Sequence, residues 1–244
     1  MKKVLPIVTV LVPAAGRGAR MGGARKQYRN IGSAPLLAQT LRVFERHPRI
    51  DYIVVAAPAG DADWLASDLH TRGFRKIHTV TSGGASRQAS VAAALDAAPS
   101  IGSVSSDMDI VLVHDAVRPF VPAECIDAVI SAALQEGAAS LALPVADTLR
   151  AVSRGVFAET VDRERLCRMQ TPQAFRRDWL EEAHRAARSE GRDASDDVAL
   201  VQHIGRPVVL VEGSALNIKV TTPADYELAG IIQSSFERTS FADT

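Results

Sequence analysis

The sequence predicts a doubly wound α/β domain built on a mostly parallel sheet. Three observations carry that expectation. Apolar, β-rich runs alternate with amphipathic stretches along the chain. The apolar runs are continuous rather than alternating, which suits strands covered on both faces. Three distinctive loops, Pro13–Gln27, Ser82–Ser90 and His114–Pro119, fall at the carboxyl ends of these strands, where such sheets bind ligands.

Taken in order, Val4–Val12 reads as a strand and Pro35–His47 as a helix by its apolar spacing. Asp51–Ala57 reads as a strand, and Asp61–Arg72 as a helix opened by a capping Asp61. Lys76–Thr81 is a short strand, Ser86–Ala98 an Ala-rich helix and Asp109–Val113 a strand. Pro122–Glu136 is a helix, followed by strand Ala138–Leu143. Residues 147–161 break the rhythm. They read as two short strands around a Ser-Arg-Gly turn, a protruding β-hairpin arm. A lone hairpin is unstable in water, so it must pack on its own domain or on another protomer. Beyond it the sequence reads as a loop at Leu166–Phe175, a helix from about Arg176, a helix Asp196–His203, a strand Pro207–Val211 and a last helix from Pro223. With neither internal repeat nor low-complexity linker, residues 1–244 read as a single domain.

The 244 residues are 47% hydrophobic and 23% charged, ordinary for a soluble enzyme. Basic and acidic residues balance, and no basic stripe points to nucleic acid as a partner. Cys125 and Cys167 lack CxxC spacing, so they read as small apolar side chains in a reducing compartment rather than a disulfide or zinc site. The apolar run from Val4 to Ala15 is interrupted by Pro6 and lacks a small-x-small cleavage site, so it reads as a buried strand rather than a signal peptide. No segment has the length of a membrane span. The expected location is cytoplasmic, with no membrane partner.

The first strand runs into Pro13, Ala14, Ala15 and Gly16, then Arg20 and Lys26. Small residues allow close approach of a phosphate, and backbone N–H groups of such a loop can cradle it beside the two cations. Met21 stands where the dinucleotide fingerprint needs its third Gly, and Lys26 lacks the P-loop's Gly-Lys-Ser/Thr setting, so neither an NAD-linked reductase nor a P-loop NTPase is indicated. The plainer alternative is a turn that merely joins strand to helix. Asp115, at the end of an apolar strand with Arg118 three residues on, reads as a metal-binding carboxylate; its alternative is a helix cap. His114 reads as a packed structural histidine.

The string VPAAGRGARMGGARKQY resembles the nucleotide-binding loop of the 2-C-methyl-D-erythritol 4-phosphate cytidylyltransferase family. The likeness continues in order through SGGASRQASV, VLVHDAVRPF, PVADTLR, TVDRERL, QTPQAF, ASDDVALV and EGSALNIKVT. It implies a Rossmann-like nucleotidyltransferase domain, CTP and a sugar-alcohol phosphate as small-molecule substrates, Mg²⁺, and a homodimer serving isoprenoid precursor synthesis. It implies Arg20, Lys26 and Lys219 as the catalytic cations. Pro13, Ala14, Ala15, Gly16, Gly83, Gly84, Ser90 and Asp115 would bind the nucleotide, with Asp115 holding the metal. Arg118, Thr148, Arg163, Thr171, Ser195 and Lys219 match substrate-side positions, and the family exchanges the arm between protomers, so Thr148 and Arg163 would serve the partner's site.

Cytidylyl transfer suits this inventory. The nucleophile is a phosphate oxygen, already anionic, so the work is positioning and charge neutralisation rather than base catalysis. Each residue has a plainer alternative. Lysines and arginines are usually solvated, Ser90 could bond its own helix backbone, and Ala14 and Ala15 could be core. The sequence departs from the family at Arg25, where some relatives carry proline, at Ala85, where an acid is common, and at Ser195, which replaces threonine. Ribitol 5-phosphate cytidylyl transfer is the sister reading, and a silent nucleotide-binding module on the same fold is the alternative from another class.

Overall fold

A computed structural model describes residues 6–16, 25–99 and 108–242. Its centre is a seven-stranded sheet. The strands are β1 (Val8–Pro13), β4 (Tyr52–Ala57), β5 (Ile77–Ser82), β6 (Ile110–Val113), β7 (Ala138–Pro144), β10 (Cys167–Arg176) and β11 (Val209–Glu212), in the order β11-β7-β10-β6-β1-β4-β5. β10 runs antiparallel to both its neighbours, and the remaining pairs are parallel. Two short strands, β2 (Asn30–Ile31) and β3 (Ala34–Pro35), form a ribbon ahead of the first helix.

The continuous apolar strands bury both faces, as their composition requires. On β1, Val8, Val10 and Val12 point to one core with Leu41, Phe44, Leu65, Ile126 and Val129. Those partners lie on α1 (Leu36–Arg46), α2 (Ala62–Thr71) and α4 (Ala123–Glu136). Leu11 points to the other core, with Val91, Leu95, Leu180 and Val201. These come from α3 (Arg87–Asp96), α5 (Arg177–Glu190) and α6 (Asp197–His203). A third cluster, including Ile31, Phe120, Val220 and Ala229, seats α7 (Pro223–Ala242) beside the carboxyl edge of the sheet. Each large side chain removed from water here is worth about 1.5–3 kcal/mol, which is why the strands read as unbroken apolar runs and the helices by their apolar spacing.

Three expectations change. Leu166–Phe175, expected as a loop, is nearly all β10, a central strand of the sheet. Pro172 and the run of polar residues disguise it. The ladder to β7 shifts register between Met169 and Gln173, and that irregularity accommodates a residue with no N–H to donate. Asp61 sits at the start of α2 but makes no capping bond. Its carboxylate instead accepts from the Tyr28 hydroxyl and pairs with Arg25. Of the cysteines, Cys125 is buried, whereas Cys167 is exposed rather than packed away.

The arm is the two-stranded sheet of β8 (Leu149–Ser153) and β9 (Val156–Val161). Its turn is Arg154-Gly155, both at positive φ (50° and 80°), the backbone hand that matches strand twist in a two-residue hairpin. Val152, Val156 and Phe157 stay largely exposed, Phe157 at 76%.

Gly137 ends α4 at φ 89°, and a Cβ there would strike the Trp179 ring. Gly137→Ala is therefore expected to lower stability by roughly 1–3 kcal/mol, read from the urea midpoint at unchanged slope.

Candidate active site

The carboxyl edge of β1, β4, β5 and β6 gathers the small-residue loops. Ala14 donates its N–H to Ala56 O at 2.8 Å, and Gly83 to Ala57 O at 2.7 Å. A side chain on Gly83 would strike the Ala15 methyl and one on Gly84 would strike Ala89, so two backbones pass here at a distance only glycine permits. Ser90 is buried one turn into α3. Its hydroxyl donates to Ser86 O at 2.8 Å and accepts from Gly84 N at 3.2 Å, which fixes the Gly83-Gly84 turn from below. Pro13, Ala15 and Gly16 line the start of the opposite loop, with Gly16 exposed. Gln27 donates to Ala14 O at 2.8 Å, holding the turn that bears Lys26 against that loop.

Asp115 lies two residues past the end of β6 and is buried to 7% exposure. Lys219 Nζ lies 2.9 Å and Arg118 Nε 3.1 Å from its Oδ2, and Arg87 Nε lies 3.4 Å from Oδ1. Burial alone would raise its carboxyl pKa. Lys219, Arg87 and Arg118 outweigh that and hold it well below the usual carboxylate range. Arg118 is itself committed to the fold, donating to Asn217 O at 2.8 Å and reaching Met169 O. Lys26 Nζ donates to Val220 O at 3.2 Å, beside Lys219 in the chain. Three cations thus surround a buried carboxylate and a fourth stands at the edge, an excess of positive charge suited to a polyphosphate.

A buried polar chain supports this cluster. Thr171 Oγ1 accepts from Asp115 N at 3.1 Å and lies 3.1 Å from His114 Nδ1, while His114 Nε2 lies 3.0 Å from Arg118 O. The network is satisfied when the threonine donates to Nδ1 and the histidine carries its proton on Nε2. Burial pushes the His114 pKa down to about 4, so it stays neutral near pH 7, the structural histidine expected from the sequence. Asn217 completes the frame by donating to Thr171 O at 2.7 Å.

The structure therefore brings Asp115, Arg118, Thr171 and Lys219 into one bonded cluster, with Lys26 at its edge. Lys219 is half exposed. Ser195 is exposed, two residues before Asp197. Thr148 and Arg163 are exposed at the base of the arm, where Arg163 bonds Ala146 O, and no described contact joins either to Asp115. Arg20 lies outside the described residues. Arg87, Asp197, Asn217 and Gln27 were missed by sequence reasoning. Arg87 and Asp197 stood in plain view within SGGASRQASV and ASDDVALV, but nothing in one sequence pairs residues 110 positions apart.

Among the described residues no group of three or more His, Cys, Asp or Glu could hold a metal alone. Asp115 as sole carboxylate fits a hard divalent cation that takes one protein ligand and completes its shell with phosphate oxygens and water.

A parallel sheet that presents a small-residue loop and a cation-ringed aspartate at its carboxyl edge defines a nucleotidyltransferase of the Rossmann-like kind. The chain belongs to the 2-C-methyl-D-erythritol 4-phosphate cytidylyltransferase family (IspD), whose sequence profile matches residues 8–235. It is 50% identical to a protein of that name from Salinibacter ruber over 91% of both chains. It is 41% identical to one from Syntrophotalea carbinolica, over 91% of this chain and 94% of the relative. Among solved structures, the cytidylyltransferase of Thermus thermophilus superposes with a TM-score of 0.77 at 40% identity, covering 92% of this chain and 98% of its own.

Asp197 is buried, bonded to His184 on one oxygen and Arg87 on the other. Burial would raise its carboxyl pKa, but these partners lower it below its unfolded value. Its stabilising share is therefore present above the unfolded pKa of about 3.9 and is lost as pH falls through the lower folded value. Asp197→Asn is expected to cost roughly 3 kcal/mol at pH 7, with the gap to wild type narrowing below about pH 4. Urea unfolding at pH 7, 5 and 3 measures both.

Proposed function

We propose that the protein transfers CMP from CTP to 2-C-methyl-D-erythritol 4-phosphate, giving 4-diphosphocytidyl-2-C-methyl-D-erythritol and pyrophosphate. The observation that carries this is the convergence of Lys219, Arg87 and Arg118 on one buried aspartate at the carboxyl edge of the sheet, with Lys26 standing beside them on the Val220 carbonyl. An acceptor phosphate oxygen attacks the α-phosphorus. One P–O bond forms, the α–β anhydride bond breaks, and pyrophosphate leaves. The second pKa of a phosphate monoester is near 6, so the nucleophile needs no general base. Neutral, buried His114 is accordingly left to hold structure.

Lys219 suits a moving role. Its ammonium sits on a flexible stem and is half exposed, so it can pass from Asp115 to a phosphate oxygen as negative charge grows at phosphorus. Lys26 reaches the same place from the Gly-rich loop, and Arg20 would join it from that loop. The backbone of Pro13–Gly16 and of Gly83-Gly84 forms the nucleotide's bed, with Ser90 setting its shape. Asp115 would hold the Mg²⁺ that arrives with CTP, which neutralises the triphosphate and withdraws charge from the α-phosphorus. Thr171, Arg118 and Ser195 lie on the acceptor side.

We also assign the arm to a homodimer. Its exposed apolar side chains, Val152 and Phe157 paired on one face and Val156 on the other, are the kind of surface a partner buries, and Thr148 and Arg163 at its base would then serve the partner's site. We assign the enzyme to the cytoplasm, where unpaired Cys125 and Cys167 are at home.

Pyrophosphate release should require Mg²⁺, CTP and methylerythritol phosphate together; equal or faster release with ribitol 5-phosphate would transfer the assignment to that acceptor. Lys26→Ala and Lys219→Ala are each expected to reduce kcat by about 10²–10³ while changing CTP affinity far less, because they act on charge developed in the transition state. Mixing an Arg163→Ala protomer with a Lys26→Ala protomer should recover activity; no recovery despite subunit exchange would confine each site to one chain.

A further inference from the structure

Arg87 is the cation of the cluster that is anchored by a second buried carboxylate. Its Nη1 lies 2.7 Å from Asp197 Oδ2, closer than the 3.4 Å from its Nε to Asp115 Oδ1. Asp197 is fully buried and gives its other oxygen to His184 Nε2 at 2.9 Å. A buried carboxylate with both oxygens engaged holds the guanidinium to one place, since leaving either charge unpaired inside the protein is costly. The next residue reinforces the brace. Gln88 accepts from Ala194 N at 2.9 Å and donates to Arg192 O at 3.0 Å. The start of α3, which follows Gly83-Gly84, is thus tied to the 192–197 segment that carries Ser195. The two sides of the site are cross-linked through residues 87 and 88.

The other partners of Asp115 are arranged differently. Arg118 and Lys219 share Oδ2, and Lys219 is the exposed one. When Lys219 turns to a polyphosphate, Arg118 on one oxygen and Arg87 on the other are what remain to orient the carboxylate. We propose that Arg87 is a positioning residue: pinned by Asp197 and His184, it fixes the orientation of the Asp115 carboxylate and so the placement of the divalent cation and triphosphate, without binding either. This rests on the Mg²⁺–CTP reading given above.

The test uses the full chain with Arg87→Gln, Arg87→Lys and Asp197→Asn, and with Arg87→Gln and Asp197→Asn combined. Calorimetric CTP titration across Mg²⁺ concentrations, steady-state kinetics and melting temperature are the readouts. Arg87→Gln is expected to lower kcat by about 10–100-fold and to raise the Mg²⁺ needed for half-maximal CTP binding by a similar factor. KM for CTP at saturating Mg²⁺ should stay within about threefold. Arg87→Lys, which keeps the charge, should recover part of the loss, and it decides the matter if the Gln variant does not fold. Asp197→Asn should shift Mg²⁺ dependence in the same direction, and the combined variant should be little worse than Arg87→Gln alone. An unchanged kcat and Mg²⁺ requirement in Arg87→Gln would overturn the proposal. So would a raised KM with kcat intact, which would make Arg87 a direct CTP contact, or losses that simply multiply in the combined variant. A wild type that binds Mg²⁺–CTP but transfers nothing would sink the acceptor assignment instead, while the titrations still decide Arg87.

Discussion

A carboxylate cannot stay ionised inside a protein without partners; the penalty is several kcal/mol per ion even after relaxation. Asp115 is buried at the end of a central strand, and its neighbours are what make that tenable. They arrive from three separate parts of the chain: Arg118 from the turn after β6, Arg87 from the start of α3, and Lys219 from the segment before α7. Satisfying one negative charge therefore fixes how the loops of the sheet's carboxyl edge converge. The same requirement keeps the edge positive, so that a polyanion arriving there meets cations already in place rather than ones recruited on demand.

The support beneath this charge is neutral and rigid. His114, Thr171 and Asn217 are buried and hydrogen-bonded to one another's surroundings, and Thr171 holds the Asp115 backbone directly. Gly83 and Gly84 let the two loops close up by omission, since any Cβ would push Ala15 or Ala89 away. Sheet, polar chain and glycine turns each remove a degree of freedom from the groups that would face substrate, which is where such a site gains its rate.

Most of the fold was legible because both faces of the parallel strands are buried. The runs around Val8–Val12, Ile53–Ala57 and Ile110–Val113 leave little choice but strand. β10 was not legible, since Pro172 and Gln170, Thr171 and Gln173 look like loop when their partners on β6 and β7 are unknown. Asp61 misled for a related reason: its position says cap, but Tyr28 and Arg25 compete for the carboxylate and win it. At the site, Asp115 stood out by its place at the end of an apolar strand, and Lys219 through the family resemblance. Arg87 did not, because its meaning lies in Asp197, and a single sequence carries no record of which distant charges meet.

The position of β10 bears on how the chain can be made. Among the described residues β7 pairs with β10 and β11, and one edge of β6 pairs with β10, so these edges wait for strands that come later in the chain. On the ribosome, synthesised from the amino end, an apolar β6 would stand with an open edge for more than fifty residues of elongation, until residues 167–176 emerge. Lys219 comes later still. The nascent polypeptide thus carries an open apolar strand edge well before the residues around Asp115 can meet.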